Sequence, residues 1–583
     1  MAATKTKPLP SVSVQFLGTS SGGGPIQSRN CSCLAVDFGN ELWLFDTADG
    51  SLGRLHQSSL KIVNITRIFI THLHIDHVLG LVPILNSVMS GVSLKEGDIE
   101  HLKELGVKKR STFHIYGPAG LRNLVRTILN TTQANLSGVY AVHELLEEGQ
   151  SPSASCSEDA LHANEGVGVD MRTDADGVWK AILREGSGKG GKGWQVSAGP
   201  LRHRVPSIGY ILKEPTPRLP LDTKTLIPLL QANAKDLMQR DPPVLHPLSL
   251  LSHLTSLPPP PPLTLPSGDV IQPPEPSGLP PRKFVIFGDC LGGTQNHVFK
   301  KMCEDASLLI HECTNAAIPQ AIQRDNKGQN ARMRNLKPSL AITCGTSTGG
   351  TVSSHQLEPE AERAATECNK QNGDYVYDVD ENKKREVEKK AQSRGHSTPD
   401  QVGEFARDIR ARRVVVNHFS AMFPAPRYHT SRALPSILSS ICPFPYPTPH
   451  PLSNDNGLPV THMPLTSQHA NELYVRIIMQ SIVDQIAVHC RIAEGKTGMV
   501  VASRDFMHLS IPSHELSPTE REDIDNHSSL ANKVTEEWRT HGGIWIKDGA
   551  MGEWVGIRPQ AKRVAWEFKE ENKEWVAYPL QTD

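Results

Sequence analysis

The segment Thr71-His72-Leu73-His74-Ile75-Asp76-His77 places four metal-binding side chains within six residues. It follows the apolar run Ile68-Phe69-Ile70 and precedes apolar residues 78–82, which predicts a strand, a loop and a helix in succession. Side chains two apart on an extended chain point to one side, and Asp76 and His77 then begin the helix. Imidazole and carboxylate groups suit zinc, and a satisfied core is a poor explanation for so dense a polar cluster. The segment therefore predicts a metal site.

The length and charge of the chain limit the class of protein. Its 583 residues suffice for several domains or for one domain with large insertions. Lys and Arg number 61 and Asp and Glu number 62, so a nucleic acid would have to be bound by local basic patches. No apolar stretch is long enough to span a bilayer, and ten scattered cysteines do not suggest a disulfide scaffold. We expect an intracellular protein without a membrane partner, in the nucleus or cytoplasm, with the mitochondrion left open.

Composition divides the chain into a core, its insertions and two flanking segments. We expect a disordered N-terminus over 1–10 and an α/β core over 11–512. Polar, proline-rich or charge-dense intervals interrupt this core at about 144–193, 214–283, 323–394 and 424–469. Residues 513–583 hold five of the eight tryptophans. This Trp-rich extension is interpreted as a compact addition packed on the core, with a small partner-binding β module as the alternative.

Three further polar residues lie at the edges of apolar runs. His203 precedes a predicted strand, Asp289 ends the run 284–289, and His418 ends the run 414–418. Taken singly, each is equally well explained as a surface or capping residue. Taken together with the first segment, they predict a site for two metal ions that share a carboxylate. Such a pair lowers the pKa of water and stabilises both oxygens of a phosphoryl displacement.

Two more residues suggest proton transfer. Glu312 follows the apolar run 308–310, and His396 lies in Gly395-His396-Ser397-Thr398-Pro399. A carboxylate that orients an imidazole is a common proton-donor arrangement. Helix capping is the alternative at His396, because Ser397-Thr398-Pro399-Asp400 is a good helix start.

In their order along the chain, these motifs resemble those of ribonuclease Z, the tRNA 3′-processing endonuclease of the metallo-β-lactamase fold. The resemblance spans roughly 12–512, interrupted by the insertions, and follows the short form with one catalytic motif. Besides the first segment, the matching motifs are Phe16-Leu17-Gly18-Thr19, Pro25 with Arg29-Asn30, His203 before Pro206-Ser207, Gly288-Asp289, His311-Glu312, His396-Ser397-Thr398 and His418-Phe419-Ser420. The resemblance implies an αββα sandwich with long insertions, a precursor tRNA substrate and, as in short-form members, a homodimer.

The resemblance also implies a set of ligands for two Zn²⁺ ions. His72, His74 and His203 would hold one ion. Asp76, His77 and His418 would hold the other. Asp289 would bridge the two ions.

The remaining implied roles concern catalysis and RNA contact. Asp76 would also orient the attacking hydroxide, and His396, paired with Glu312, would protonate the leaving 3′ oxygen. Asp46 would not bind a metal ion itself but would hold the ligands in position. Arg29 and Asn30 would contact the end of the acceptor stem, which turns the glycine-rich loop before them from a plain turn into an expected RNA contact.

Several positions depart from the family pattern. Ile75 stands where the family usually has glycine, and it is bulkier and stiffer. In segment 46–51, the shorter Asp49 stands where the family has glutamate. Cys290 stands where the family has threonine. Interval 214–283 occupies the position of the family's tRNA-binding arm but lacks a glycine- and lysine-rich tip.

We therefore expect a zinc-dependent endoribonuclease that removes the 3′ trailer of precursor tRNA and leaves a 3′-hydroxyl. One alternative is a phosphodiesterase of the same fold that acts on another substrate, such as a cyclic nucleotide. A second is a catalytically weakened binding protein, which the changes at Ile75 and Asp49 suggest.

Overall fold

The computed structural model describes most of the expected core. The described residues, apart from a few single positions, are 12–90, 113–184, 193–318, 381–425, parts of 475–490, 500–511, 564–569 and 574–579. Within these ranges, every helix is too short or too polar to cross a membrane. The expectations for 1–10, most of 323–394, most of 424–469 and most of 513–583 fall outside the described residues.

Eight strands form the first sheet. They are β1 (Val12–Gly18), β2 (Cys33–Asp37), β3 (Leu42–Thr47), β4 (Ile65–Phe69), β5 (Phe113–Pro118), β6 (Tyr140–Leu146), β7 (Asp170–Arg172) and β17 (His508–Ile511). Their spatial order is β17-β1-β2-β3-β4-β5-β6-β7. The strands from β3 to β7 run parallel, so their carboxyl ends lie along one edge.

Seven strands form the second sheet. They are β8 (Trp179–Leu183), β9 (Gln195–Leu201), β10 (Ser207–Lys213), β13 (Lys283–Phe287), β14 (Leu308–Glu312), β15 (Val414–Asn417) and β16 (Val500–Ala502). Their order is β16-β15-β14-β13-β10-β9-β8, and the strands from β13 to β16 are parallel. Both faces of these parallel strands are buried, which explains their continuous apolar sequences.

Ten α-helices with both ends in the described ranges accompany the sheets. They are α1 (Ser51–Gln57), α2 (Ile75–Val78), α3 (Leu81–Ser90), α4 (Leu121–Thr132), α5 (Thr223–Ala232), α6 (Ala234–Gln239), α7 (Ser249–Leu254), α8 (His297–Cys303), α9 (Glu381–Arg394) and α10 (Pro399–Asp408). In α4, Leu121, Val125 and Leu129 recur every fourth residue and are buried, so one face packs on the first sheet. Pro399 begins α10, as the helix-start motif predicts.

Three apolar cores separate four layers. The central core joins side chains of both sheets, including Phe69 and Tyr210, whose ring centroids are 5.3 Å apart. A second core lies between the first sheet and α1, α3 and α4. The third lies between the second sheet and α8, α10 and helical residues within 475–490. The expected αββα sandwich is confirmed.

Interval 144–193 is more than an insertion. Its residues complete β6 and supply β7 and β8, the edge strands of the two sheets. The buried Trp179 bonds the carbonyl oxygens of Leu146 and Met171 and so joins these parts. The polar composition misled the prediction because edge strands are short and only partly buried.

Interval 214–283, which occupies the position of the family's tRNA-binding arm, is folded despite its many prolines. It contains α5 to α7 and a small hairpin of β11 (Leu263–Thr264) and β12 (Val270–Ile271). These elements enclose their own core of Leu230, Leu237, Leu250, Leu254, Leu265 and Ile271. The interval carries six basic and six acidic residues, so it has no net positive charge for attracting RNA.

In the Trp-rich extension, the described residues form one antiparallel hairpin. It pairs β18 (Val564–Lys569) with β19 (Glu574–Pro579).

Candidate metal centre and active site

The candidate site lies where strands of both sheets end. The segment 71–77 follows β4, Asp289 follows β13, and His418 follows β15, while His203 lies in the turn from β9 to β10. The backbone N–H of Ile208 donates to Thr71 O at 3.0 Å, and this bond links the two sheets beside the site. Gly288 is needed here, because a Cβ atom on it would lie 2.4 Å from Thr71 Cβ.

The first group of potential ligands is His72, His74, His203 and Asp289, whose ligand atoms all lie within 4.8 Å of one another. His72 Nε2 is 2.8 Å from His74 Nδ1 and 3.5 Å from Asp289 Oδ2. Burial lowers the pKa values of His72, His74 and His203, and that of His74 falls to about 4. These imidazoles are therefore neutral near pH 7 and offer lone pairs.

The second group is Asp76, His77 and His418. His77 Nε2 lies 3.1 Å from His418 Nε2 and 3.7 Å from Asp76 Oδ2, and His418 Nε2 lies 3.4 Å from the same oxygen. Asp289 also faces this group, with Oδ1 3.3 Å from His77 Nε2 and 3.2 Å from His418 Nε2. The two oxygens of Asp289 thus face different groups, as a shared ligand requires.

The donor set fits metal cations. His203 Nε2 is buried, points into the first group and has no hydrogen-bond partner among the described atoms. Two pairs of imidazole nitrogens also face each other, and a neutral pair can share only one proton. Burial opposes protonation of His77, but Asp289 and Asp46 outweigh it and raise its pKa. The negative charge that favours a proton there equally favours a cation.

Groups behind the ligands fix their orientation. Asp46 Oδ2 lies 2.7 Å from His77 Nδ1, and both oxygens of Asp46 accept bonds from Thr71, one from its N–H and one from its hydroxyl. His203 Nδ1 lies 2.7 Å from Gly395 O, and His418 Nδ1 lies 2.9 Å from Thr314 Oγ1. Each contact fixes one ring nitrogen and leaves the other directed at the ligand groups.

Asp46 and His418 both have left-handed backbones, with φ of 56° and 58°. Residues other than glycine rarely adopt this backbone conformation, and among them aspartate and asparagine tolerate it best. The surrounding contacts therefore hold a strained backbone at two positions of the site, a common feature of functional sites.

The buried Glu312 and the half-buried His396 form a pair beside these groups, with Oε1 and Nδ1 3.1 Å apart. Glu312 also accepts hydrogen bonds from the N–H groups of Cys290, Ser397 and Thr314. Burial lowers the pKa of His396, but the charge and hydrogen bond of Glu312 outweigh it and raise this pKa to about 9. His396 is therefore held protonated, 3.7 Å from Asp289 Oδ2.

Arg29 and Asn30 do not lie where an RNA contact would require. Arg29 is fully buried and donates to Phe423 O, Thr19 Oγ1 and Ser503 O. The backbone N–H of Asn30 donates to Asp505 Oδ2 at 2.6 Å. The expectation of RNA contact is corrected to a structural role, because the donors of Arg29 are engaged inside the protein and none faces solvent.

Comparison with known proteins agrees with this geometry. Residues 27–170 match the family model described as the metallo-beta-lactamase superfamily. Zinc phosphodiesterase ELAC protein 1 of Bos taurus is 31% identical over 312 residues, which cover 52% of this chain and 76% of that protein. A ribonuclease Z of Synechocystis sp. is 32% identical over 203 residues, covering 34% of this chain and 46% of that protein.

The chain belongs to the ribonuclease Z family. Membership makes it a zinc-binding hydrolase of the metallo-β-lactamase superfamily. The crystal structure of human tRNase Z, short form, aligns at 23% identity over 70% of this chain and 93% of that chain. Its TM-score is 0.37, which is too low to bear on the assignment.

Two departures of this ribonuclease Z family member from the usual pattern leave the ligand groups intact. Cys290 is buried, and its backbone N–H, not its side chain, bonds Glu312. Asp49 offers its carbonyl oxygen to Asn30 Nδ2 at 3.0 Å. Neither change removes a potential metal ligand.

Sequence reasoning assigned no role to Thr314 or Gly395, and it expected only an RNA contact from the glycine-rich loop that contains Gly22. The hydroxyl of Thr314 lies between Glu312 and His418, and the N–H of Gly22 donates to Asp76 Oδ2 at 2.6 Å. Thr314 lies two residues after the matched His311-Glu312 motif, and this closeness is a usable signal. The contacts of Gly22 and Gly395 involve only backbone atoms, although the positive φ of 75° at Gly395 favours glycine there.

Proposed function

We propose that this chain is a two-zinc endoribonuclease that cuts precursor tRNA on its 3′ side and leaves a 3′-hydroxyl on the tRNA. The observation that carries the proposal is the Glu312–His396 pair beside two groups of metal ligands that share Asp289. The relatives named zinc phosphodiesterase and ribonuclease Z support the same substrate class.

In this proposal, His72, His74 and His203 would hold one zinc ion, Asp76, His77 and His418 would hold the second, and Asp289 would serve both. When bound, zinc supplies Lewis acidity for a phosphodiester and lowers the pKa of water. The opposed imidazole nitrogens and the unpartnered His203 Nε2 support this distribution of ligands.

Asp76 orients the attacking water in this proposal. Burial opposes its ionisation, but the hydrogen bond of His418 and the charge of His77 outweigh burial and lower the pKa of Asp76. The N–H of Gly22 fixes Oδ2. An ionised, immobile carboxylate is suited to accept a hydrogen bond from water.

His396 donates the proton that the leaving 3′ oxygen needs. Glu312 keeps the ring charged and fixes Nδ1, so Nε2 is the atom that can face the leaving group. Positioned acids of this kind contribute roughly 10²- to 10⁴-fold to rate.

The test compares substrates with the purified, zinc-loaded full chain. We expect it to cut a trailer-bearing precursor tRNA at the end of the acceptor stem and to leave 2′,3′-cyclic AMP intact. Hydrolysis of the cyclic nucleotide with an intact precursor would contradict the RNA substrate and favour another phosphodiesterase. Binding of precursor without cleavage, at full zinc occupancy, would indicate a weakened binding protein.

A further inference from the structure

Ile75 is a large apolar side chain left in solvent at the centre of the metal-binding segment. Its exposed fraction is 70%, although His74 and Asp76 on either side belong to the two ligand groups. Leu73, two residues earlier, packs against the core beneath the first sheet. Packing therefore accounts for Leu73 but not for Ile75.

The backbone does not explain the residue type at this position either. Ile75 begins α2 and has a right-handed helical conformation, so neither glycine nor any special residue is required. Because the Ile75 side chain is 70% exposed, its bulk extends mainly into solvent and is not packed against the rest of the protein. The backbone therefore sets no requirement on the residue type at Ile75, and in this chain the side chain there is apolar.

A second exposed apolar residue lies beside it. Leu79 follows Ile75 by four residues, so the two side chains lie on the same side of one helical turn. Leu79 is 45% exposed. Scattered exposed apolar residues are ordinary, but a pair next to a catalytic centre resembles a binding contact.

The substrate determines what can cover this pair. Ile75 is next in sequence to one ligand of each group. Consecutive Cα atoms lie about 3.8 Å apart, so its side chain starts close to both groups. In the proposed function, the cleaved phosphate lies against those ligands. The nucleotides joined to that phosphate then reach the neighbouring surface, where an apolar side chain offers contact to the face of a base but not to phosphate or ribose.

We propose that Ile75, with Leu79, contacts a nucleobase next to the cleaved bond and is a specificity-determining residue. This inference rests on the proposed cleavage of RNA and deepens it. The contact is hydrophobic, so it favours a base over an empty position without reading hydrogen bonds.

The test replaces Ile75 by threonine, which keeps the branched shape and removes the apolar character. For precursor tRNA we expect kcat/KM to fall about threefold to tenfold, the range for partly losing one buried apolar side chain. Ile75→Val should retain activity near that of the unchanged protein. Val63→Thr is the matched control, since Val63 is 82% exposed and precedes β4 at the end opposite the site.

Two substrates separate contact with a base from damage to the site. An otherwise identical precursor with an abasic nucleotide next to the cleaved bond has no ring for Ile75 to contact. Its kcat/KM should be lower than that of the intact precursor and should be equal in the Ile75→Thr variant and the unchanged protein.

Equal loss on both substrates, or no loss on precursor tRNA, would overturn the base contact while leaving the proposed function intact. If the unchanged protein hydrolyses bis(p-nitrophenyl) phosphate but cuts no precursor, the proposed function fails and the inference fails with it.

Discussion

Glu312 Oε1 and His396 Nδ1 lie 3.1 Å apart and bring together residues 84 positions apart in the sequence. Glu312 ends β14, and His396 lies two residues after the end of α9. The pair makes His396 a cationic donor next to Asp289, which is the arrangement a leaving oxygen needs.

Replacing His396 by alanine should lower kcat for precursor tRNA by roughly 10²- to 10⁴-fold, because the leaving oxygen loses its proton donor. Zinc content should stay unchanged. A precursor with sulfur in place of the leaving 3′ oxygen needs no such proton, so the variant should recover much of its rate on it. An equal defect on both substrates would contradict the role of His396.

Replacing Asp46 by asparagine should weaken zinc binding about 10- to 100-fold, the usual effect of removing a carboxylate behind a histidine ligand. Asparagine tolerates the left-handed backbone of Asp46, so the fold should persist. Chelator competition measures the affinity. Unchanged affinity would show that the contact of Asp46 with His77 does not tune the metal site.

Replacing Arg29 by alanine should lower the free energy of unfolding by about 3–5 kcal/mol, since buried acceptors and Asp505 lose a charged partner. The KM for precursor tRNA should not change in the folded fraction. Arg54→Ala is the matched control, because Arg54 contacts the same Asp505 at 3.2 Å but is partly exposed, and it should cost about 1 kcal/mol or less. A raised KM with unchanged stability would restore Arg29 as an RNA contact.

Asp505 should make stability depend on pH. Burial raises its pKa to about 6, although Arg54 and Arg29 oppose the shift. The folded state then binds more protons than the unfolded state between about pH 4 and 6, so this contribution is present at low pH and is lost as pH rises through 6.

The Asp505→Asn variant removes this titration. Its free energy of unfolding relative to the unchanged protein should therefore rise from pH 4 to pH 6 and then level off. Denaturation of zinc-free protein at several pH values measures the difference, with the exposed Asp269→Asn as control. A difference that is constant across this range would contradict the raised pKa.

Much of the fold could be predicted from the sequence, because the candidate metal ligands and Glu312 lie at the ends of strands. Continuous apolar runs before Asp289, Glu312 and His418 predict buried parallel strands, whose carboxyl ends meet at one edge. The dense segment 71–77 adds the order strand, loop and helix, which the structure has. Local pattern and chemistry agree at these positions.

Other features depend on contacts that no local pattern contains. Arg29 is buried by residues 390 or more positions away, so its sequence context alone suggested an exposed loop. The leucines of interval 214–283 form a small core of their own. The many prolines of the interval concealed that core in the sequence. The edge strands β7 and β8 lie within a polar, glycine-rich interval, and this composition concealed them.

The most direct test of the proposed function maps the ends of the RNA fragments made by zinc-loaded protein. We predict one cut at the 3′ end of the acceptor stem, with a 3′-hydroxyl on the tRNA and a 5′-phosphate on the trailer. His74→Ala should abolish the cut, while the exposed His253→Ala should retain it. A 3′-phosphate on the tRNA, scattered cuts, or an active His74→Ala variant would contradict the account.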